Sequence, residues 1–198
     1  MRAKKRKKRQ QRRKTNKVLN IKAIIIGMEY PGGMKGEGRL TKVDKEIRSV
    51  YGILRRKFEF PAEEILALCD KGHRYRNASY DNITNYVSEM VVNSQSGDRL
   101  FLYVAGHGVL VDEIARPASV LSAEGELISE DFWRDIRLKV PSGVTLYAFM
   151  NCCHSGSFFN NACEDFIDTG DVIAFAACMW NEKIVDGLYF DKGLRPAL

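Results

Sequence analysis

The sequence lacks several features that would assign a function class by themselves. No apolar run approaches the roughly 18 residues that cross a bilayer, and no apolar segment of the signal-peptide type follows the N-terminus. The 198 residues include five cysteines and three histidines. An odd, scattered set of cysteines without an export signal does not fit a disulfide framework. We therefore expect an intracellular, cytoplasmic protein that makes no membrane contact.

Acidic residues are absent from residues 1–17, which contain 11 Lys or Arg. Removing these 11 from the 31 basic residues leaves 20 against 25 acidic ones, so the net charge of +6 comes from this segment. Such a run is predicted to be a disordered basic tail, with residues 18–198 as the domain. The tail would contact nucleic acid or direct nuclear import. The alternative is a tail that only improves solubility.

Secondary structure can be predicted from the spacing of apolar residues. Strands are expected where apolar runs are continuous, at residues 22–30, 63–70, 100–104, 145–150 and 171–178. Helices are expected where apolar residues recur at steps of three and four, at residues 41–58, 81–93 and 129–138. Asp81 and Ser129 are the expected N-caps of the last two helices. Residues 109–125 are expected to form a loop or a small hairpin.

Strands and helices alternate along the chain, and the strands are apolar throughout. This pattern predicts the α/β class, with a mostly parallel central sheet that is covered by helices on both faces. In such sheets, ligands bind beyond the carboxyl ends of the strands.

Two of the predicted strands end in reactive residues. The segment LFLYVAGHG ends in His107 and Gly108, and the segment TLYAFMNCCHSGS contains Cys153 followed by small residues. A cysteine attacks as its thiolate, and a nearby imidazole can take its proton and later protonate the leaving amine. The backbone N–H groups of Gly108 and Cys153 are candidates for an oxyanion hole. This arrangement predicts a Cys–His dyad.

Two alternatives compete with this interpretation. Cys152 could be the nucleophile instead of Cys153, but neighbouring strand residues face opposite ways, so only one can address His107. A metal site is the other alternative, and its potential ligands are Cys152, Cys153, His154 and Cys163. Adjacent cysteines lack the C-x2-C spacing of structural zinc sites, which disfavours it.

The AGHG and CHSGS segments resemble the paired motifs of metacaspases, which are caspase-like cysteine peptidases. The resemblance extends over about residues 20–180 and includes the first strand, the first helix, the Gly-Asp turn before the histidine strand and the Pro-x-Gly turn before the cysteine strand. It implies a caspase-type α/β sandwich with His107 and Cys153 as the catalytic dyad. It also implies an oxyanion hole formed by the N–H groups of Gly108 and Cys153.

This chain departs from the family at positions that concern substrate binding. The family usually has an acid two residues before its nucleophile, where this chain has Asn151. A second acidic position, near the start of the first helix, is matched by Glu46, and Asp44 is a possible substitute for the missing acid. The resemblance therefore implies cleavage after Arg or Lys, with a pocket that holds one acid instead of two.

The resemblance bears on cofactors and on the end of the chain. The chemistry requires no cofactor, but many metacaspases need calcium, and Glu130 and Asp131 are the best local match to its ligands. The alternative role of these two acids is to complement the dipole of the predicted helix. After Cys178 the family's acidic pattern is replaced by Met179-Trp180-Asn181-Glu182, so the C-terminal part is expected to be abbreviated.

Three functions follow from these observations. The first is a cysteine endopeptidase that acts on proteins or peptides through an acyl-enzyme. The second is a caspase-like scaffold with weakened or lost activity, suggested by Asn151 and by the abbreviated C-terminal part. The third is a nucleic-acid-associated protein that binds through residues 1–17.

Overall fold

The computed structural model describes residues 21–34, 37–71, 74–111, 118–159 and 169–184. The predicted basic tail and Cys163 lie outside the described residues, so the expectations about them stay predictions. Along the chain, the elements are β1 (Ala23–Gly27), α1 (Val43–Arg56), β2 (Ile65–Cys69), α2 (Tyr80–Val92), β3 (Arg99–Ala105), β4 (Gly108–Leu110), β5 (Ala118–Leu121), β6 (Leu127–Ser129), α3 (Glu130–Lys139), β7 (Thr145–Asn151) and β8 (Asp171–Ala176).

A five-stranded sheet in the order β2-β1-β3-β7-β8 forms the centre of the fold. Every neighbouring pair in it is parallel. All of β1 and six of the seven residues of β3 are buried, because both faces of the sheet are covered. The five predicted strands and the parallel arrangement are confirmed.

The helices lie on opposite faces of this sheet. α1 packs Val43, Ile47, Val50 and Leu54 against one face. α2 and α3 pack against the other face, where Trp133 is fully buried. The helix layers predicted from the sequence are thereby confirmed. None of the helices within the described ranges is long and apolar enough to cross a membrane.

The predicted N-cap of α2 is wrong. Ser79 occupies this position, and its side chain accepts a hydrogen bond from the Asn82 N–H at 3.2 Å. The helix therefore begins one residue before Asp81, which lies in its first turn. Ser129 is the N-cap of α3 as predicted, although its side chain makes no capping hydrogen bond.

The region expected to be a loop or small hairpin contributes two strands to a second sheet. β4, β5 and β6 form an antiparallel three-stranded sheet in that order. β4 begins at Gly108, directly after His107, so this small sheet fixes the chain where it leaves the carboxyl end of β3.

Candidate active site

The register of the central sheet places His107 and Cys153 at equivalent positions. Ala105 of β3 is paired with Asn151 of β7. His107 lies two residues after Ala105, and Cys153 lies two residues after Asn151. Both residues line one cleft of about 300 Å³ at the carboxyl edge of the sheet. This is where a parallel α/β sheet places its ligands.

Three groups hold the His107 side chain. Its ring stacks on Tyr30, with centroids 4.7 Å apart and planes at 20°. The Nε2–H donates to the Gly38 carbonyl oxygen at 2.6 Å, and Nδ1 lies 3.7 Å from Oε2 of Glu37. The imidazole is therefore clamped between an aromatic ring and the loop of residues 37–38.

Tyr30 is itself held in an unusual conformation. Its φ of 53° lies in the left-handed region, which costs about 1 kcal/mol or more for a residue with a Cβ. The Asp70 carboxylate accepts hydrogen bonds from the N–H groups of Tyr30 (2.7 Å) and Glu29 (2.8 Å) and so stabilises the turn. The Tyr30 hydroxyl accepts from the His107 N–H and donates to the Leu121 carbonyl. Burial raises the pKa of Tyr30, so this hydroxyl stays protonated.

The Cys153 thiol is half-buried and has a backbone partner. The Ile184 N–H donates to its Sγ at 3.3 Å. Burial raises the pKa of Cys153, although this hydrogen bond opposes the shift. In this geometry the sulfur is therefore held as a neutral thiol at neutral pH.

Cys152 lies in the hydrophobic core with no exposed surface. Burial raises its pKa well above that of an ordinary thiol. The two neighbouring cysteines thus face different environments. The reason predicted for this, alternation along a strand, is wrong, because β7 ends at Asn151 and both cysteines lie in the turn that follows it. Of the two, Cys153 lines the cleft.

The two members of the predicted dyad share a cleft but are bonded to different groups. His107 contacts Gly38 and Glu37, whereas Cys153 contacts Ile184. Among the described residues, no hydrogen bond joins the imidazole to the thiol. Proton transfer between them therefore requires a ring nitrogen to come within hydrogen-bond distance of the thiol.

Gly108 lies directly against the backbone of Cys153. A Cβ at this position would overlap the Cys153 carbonyl oxygen and would lie 2.8 Å from its carbonyl carbon. The Leu121 N–H donates to the His107 carbonyl, so the next pair, Gly108 and Val120, is a non-hydrogen-bonded pair of the ladder. The Gly108 N–H consequently points away from β5.

A polar cluster forms one wall of the cleft. The Asn151 Nδ2 group donates to Oε2 of Glu46 at 3.1 Å and lies 3.1 Å from the Tyr103 hydroxyl, which itself donates to the same Glu46 oxygen. Glu46 and Asn151 are about 5% and 6% exposed. Because a carboxylate can only accept, the amide nitrogen must face Glu46. Within the described part of the chain, Oδ1 of Asn151 has no hydrogen-bond partner.

Asp44 is directed to a different part of the molecule. Its carboxylate pairs with Arg48 at 2.8 Å and accepts from the Tyr75 hydroxyl at 3.2 Å. It does not appear among the described residues that line the cleft. Of these two acids, Glu46 is therefore the one that lines the cleft.

Glu130 and Asp131 lie in the first turn of α3. Asp131 is exposed and pairs with Arg134 at 2.8 Å. Across the described ranges, no three His, Cys, Asp or Glu side chains come together in a way that could hold a metal ion. Calcium takes about six to eight oxygen ligands, so these two carboxylates do not form a calcium site by themselves.

Several residues of this site could not be identified from the sequence. Tyr30, Glu37 and Gly38 come from the loop after β1 and reach His107 through packing. Ile184 comes from the segment after β8. The Gly32-Gly33 turn after Tyr30 was the one visible signal, because glycine-rich loops at a strand's carboxyl end commonly surround ligands.

The sequence is similar to known metacaspases. Arabidopsis thaliana metacaspase-4 is 28% identical over 153 residues, which are 74% of this chain and 36% of the relative. Trypanosoma cruzi metacaspase-5 is 27% identical over 154 residues, covering 71% of this chain and 34% of the relative. The chain thus spans about a third of the length of these curated relatives.

A solved structure supports the fold. The crystal structure of protein GSU0716 from Geobacter sulfurreducens superposes with a TM-score of 0.56 and 18% identity, covering 68% of this chain and 50% of that one. The family model described as metacaspase, peptidase C14 domain, matches residues 21–162. This match includes β1 to β7 and both His107 and Cys153. The chain therefore belongs to the metacaspase family of caspase-like C14 cysteine peptidases.

Proposed function

We propose that this chain is a cysteine endopeptidase that cleaves after Arg or Lys, with His107 and Cys153 as its catalytic dyad. The observation that carries the proposal is the pairing of Ala105 with Asn151 in neighbouring strands. His107 and Cys153 each follow this pair by two residues, and both line the same cleft. Family membership supports the peptidase class.

The proposed reaction proceeds through an acyl-enzyme. His107 takes the Cys153 proton while the sulfur attacks the scissile carbonyl carbon, and the resulting oxyanion accepts hydrogen bonds from the Gly108 and Cys153 N–H groups. The C–N bond then breaks, and the leaving amine takes the proton from the imidazolium. Water, deprotonated by His107, hydrolyses the thioester and restores the thiol.

The described geometry is a resting state of this mechanism. The imidazole is held by Gly38 and the thiol by Ile184, so a substrate must displace both contacts when it enters. Catalytic hydrogen bonds commonly form only in the substrate complex. Once the imidazole has turned toward the sulfur, the imidazolium would stabilise the thiolate and offset the effect of burial.

The polar wall supports selection of a basic side chain. Glu46 supplies a buried negative charge, and the unpartnered Oδ1 of Asn151 is an acceptor that lacks a donor. A buried acceptor without a partner costs about 1–3 kcal/mol. A guanidinium or ammonium that donates to both oxygens would remove this cost, whereas a carboxylate would add a second negative charge.

A panel of peptide reporters tests the proposal. Three peptides that differ only in Arg, Lys or Asp before the cleaved bond are incubated with the full chain, once with calcium chloride and once with EDTA. We expect cleavage of the Arg and Lys peptides and none of the Asp peptide. Cleavage of none in either condition would favour the scaffold function. If cleavage requires calcium, the ion needs oxygen ligands in addition to Glu130 and Asp131.

Glu46 and Asp44 can be separated by a matched pair of variants. Glu46→Gln retains the shape and the acceptor for Tyr103 but removes the charge, so we expect KM for the Arg reporter to rise about 10- to 100-fold, the usual range for a lost charged hydrogen bond. Asp44→Asn removes a charge from the same helix on the Arg48 side and is expected to leave KM within about twofold. Equal effects of the two substitutions would contradict the assignment of Glu46.

A further inference from the structure

A second cleft, of about 550 Å³, lies at the edge of the central sheet formed by β2. Its floor is largely apolar and consists of Ile47 and Tyr51 from α1, of Leu66 and Ala67 from β2, and of Tyr75. The dyad cleft lies beyond the carboxyl ends of β3 and β7 and shares no lining residue with this one. We call it the β2 groove.

Three arginines surround this apolar floor. Arg48 is more than half exposed and is oriented by its pair with Asp44. The Arg76 guanidinium lies 5.2 Å above the Tyr86 ring centre and donates to the Tyr86 hydroxyl. Arg74 is exposed, and within the described part of the chain it makes no hydrogen bond or ion pair. Among the described residues, Asp44 is the acid that contacts this cluster, so the described lining of the groove carries a net positive charge.

The backbone at the groove is that of an edge strand. The Cys69 N–H donates to the Arg76 carbonyl at 2.8 Å, on the side away from β1. Because backbone groups alternate between the two edges of a strand, Ala67 directs its N–H and carbonyl groups to this same outer side and Ile65 directs its carbonyl there, while the Ile65 N–H already donates to the Ala62 carbonyl. An extended chain in the groove can therefore pair with β2, as in other cases of strand addition.

We propose that the β2 groove binds an extended, acidic peptide segment of a partner or substrate protein, in which carboxylates alternate with aliphatic side chains. Alternate residues of an extended peptide face opposite sides, so the aliphatic ones cover the Leu66 floor while the carboxylates meet Arg74 and Arg76. The proposal goes beyond the proposed peptidase function and does not depend on it, because the groove contains none of the dyad residues.

The chemistry of the groove favours a peptide over a nucleic acid. The outward carbonyl groups of Ile65 and Ala67 need hydrogen-bond donors, which a peptide backbone supplies at every second residue and a phosphate, being only an acceptor, does not. Outside residues 1–17 the chain has more acidic than basic residues, which disfavours a long polyanion.

The test uses the full chain and fluorescence anisotropy with a labelled peptide of five Glu-Val repeats. Arg74→Glu/Arg76→Glu is expected to weaken binding at least about tenfold, because two attractions become repulsions. Arg134→Glu/Lys139→Glu, the matched control, introduces the same charge change on α3, across the sheet, and is expected to change binding less than about twofold. The two control side chains are similarly exposed. Circular dichroism verifies that both variants are folded.

Three outcomes would overturn the proposal. Equal binding by wild type and Arg74→Glu/Arg76→Glu would assign the peptide to another surface, such as the basic tail. Undiminished binding of a peptide that is N-methylated at every second residue would exclude pairing with β2. Binding of a ten-nucleotide oligouridylate that exceeds peptide binding and is lost in Arg74→Glu/Arg76→Glu would assign the groove to nucleic acid. None of these measurements depends on hydrolysis, so failure here and failure of the peptidase proposal are distinguishable.

Discussion

Replacing Gly108 with alanine is expected to lower kcat/KM for the Arg reporter by about 100-fold or more, as the loss of an oxyanion donor typically does. The cause is the close approach of two backbones. A Cβ at residue 108 would overlap the Cys153 carbonyl oxygen and would lie 2.8 Å from its carbon and 3.1 Å from its nitrogen. A backbone cannot move aside as a flexible side chain can, so one of the two segments must shift.

Such a shift affects both proposed oxyanion donors together. The Gly108 N–H and the Cys153 N–H belong to the two segments that would be forced apart, and the sulfur moves with the second one. A misplacement of about 1 Å at reacting groups costs on the order of 100-fold in rate. We therefore expect the loss to appear mainly in kcat, because Glu46 lies on α1, outside both of these segments.

Gly32 provides the matched control for this substitution. A Cβ at residue 32 would have no neighbour within 4 Å, and Gly32 does not have a positive φ. Gly32→Ala is therefore expected to retain the wild-type kcat/KM within about twofold. Urea unfolding of both variants separates a loss of activity from a loss of folding. If Gly108→Ala stays folded and fully active, the proposed oxyanion hole is wrong.

The sequence predicted much of the scaffold because the central sheet has a local signature. Continuous apolar runs showed that β1, β3 and β7 are covered on both faces, and reactive residues directly after two of them identified the edge where chemistry would occur. The different environments of Cys152 and Cys153 do not come from strand alternation, because β7 ends at Asn151 and the turn after it places one thiol in the core and the other in the cleft.

The helical spacing of apolar residues also predicts that Glu46 lies on the buried side of α1. Residue 46 lies three positions after Val43 and four before Val50, so it falls on the buried stripe of α1. Asp44 lies about 200° from it around the helix and points elsewhere. The choice between the two acids thus follows from spacing once the helix is accepted.

The contacts that hold the dyad apart could not be predicted in this way. His107 meets Gly38 and Tyr30 because the loop after β1 folds back over the end of β3, and the thiol meets Ile184 because the segment after β8 does the same. Such contacts depend on loop packing between residues 31 to 77 positions apart. These loop contacts cannot be predicted from the periodicity of apolar residues in the sequence.

Replacing Cys153 with alanine is expected to lower the rate of reporter cleavage by about 1000-fold or more, since none of the other described residues that line the cleft carries a thiol or hydroxyl group to form the acyl-enzyme. His107→Ala is expected to have a similar effect. Because the two residues act as a unit, Cys153→Ala/His107→Ala should be no slower than Cys153→Ala alone. The measurement is kcat/KM for the Arg reporter across the three variants, at high enzyme concentration so that residual rates are resolved.

Cys152→Ala is the matched control, because it removes a thiol from the neighbouring position. Its sulfur lies in the core and not in the cleft, so we expect a modest loss of stability, about 1 kcal/mol, and activity within a few-fold of wild type. Loss of activity in Cys152→Ala with retention in Cys153→Ala would exchange the roles of the two cysteines. Equal activity in wild type, Cys153→Ala and His107→Ala would contradict the assignment of these two residues as the catalytic dyad, because peptides would then be hydrolysed without the thiol or the imidazole.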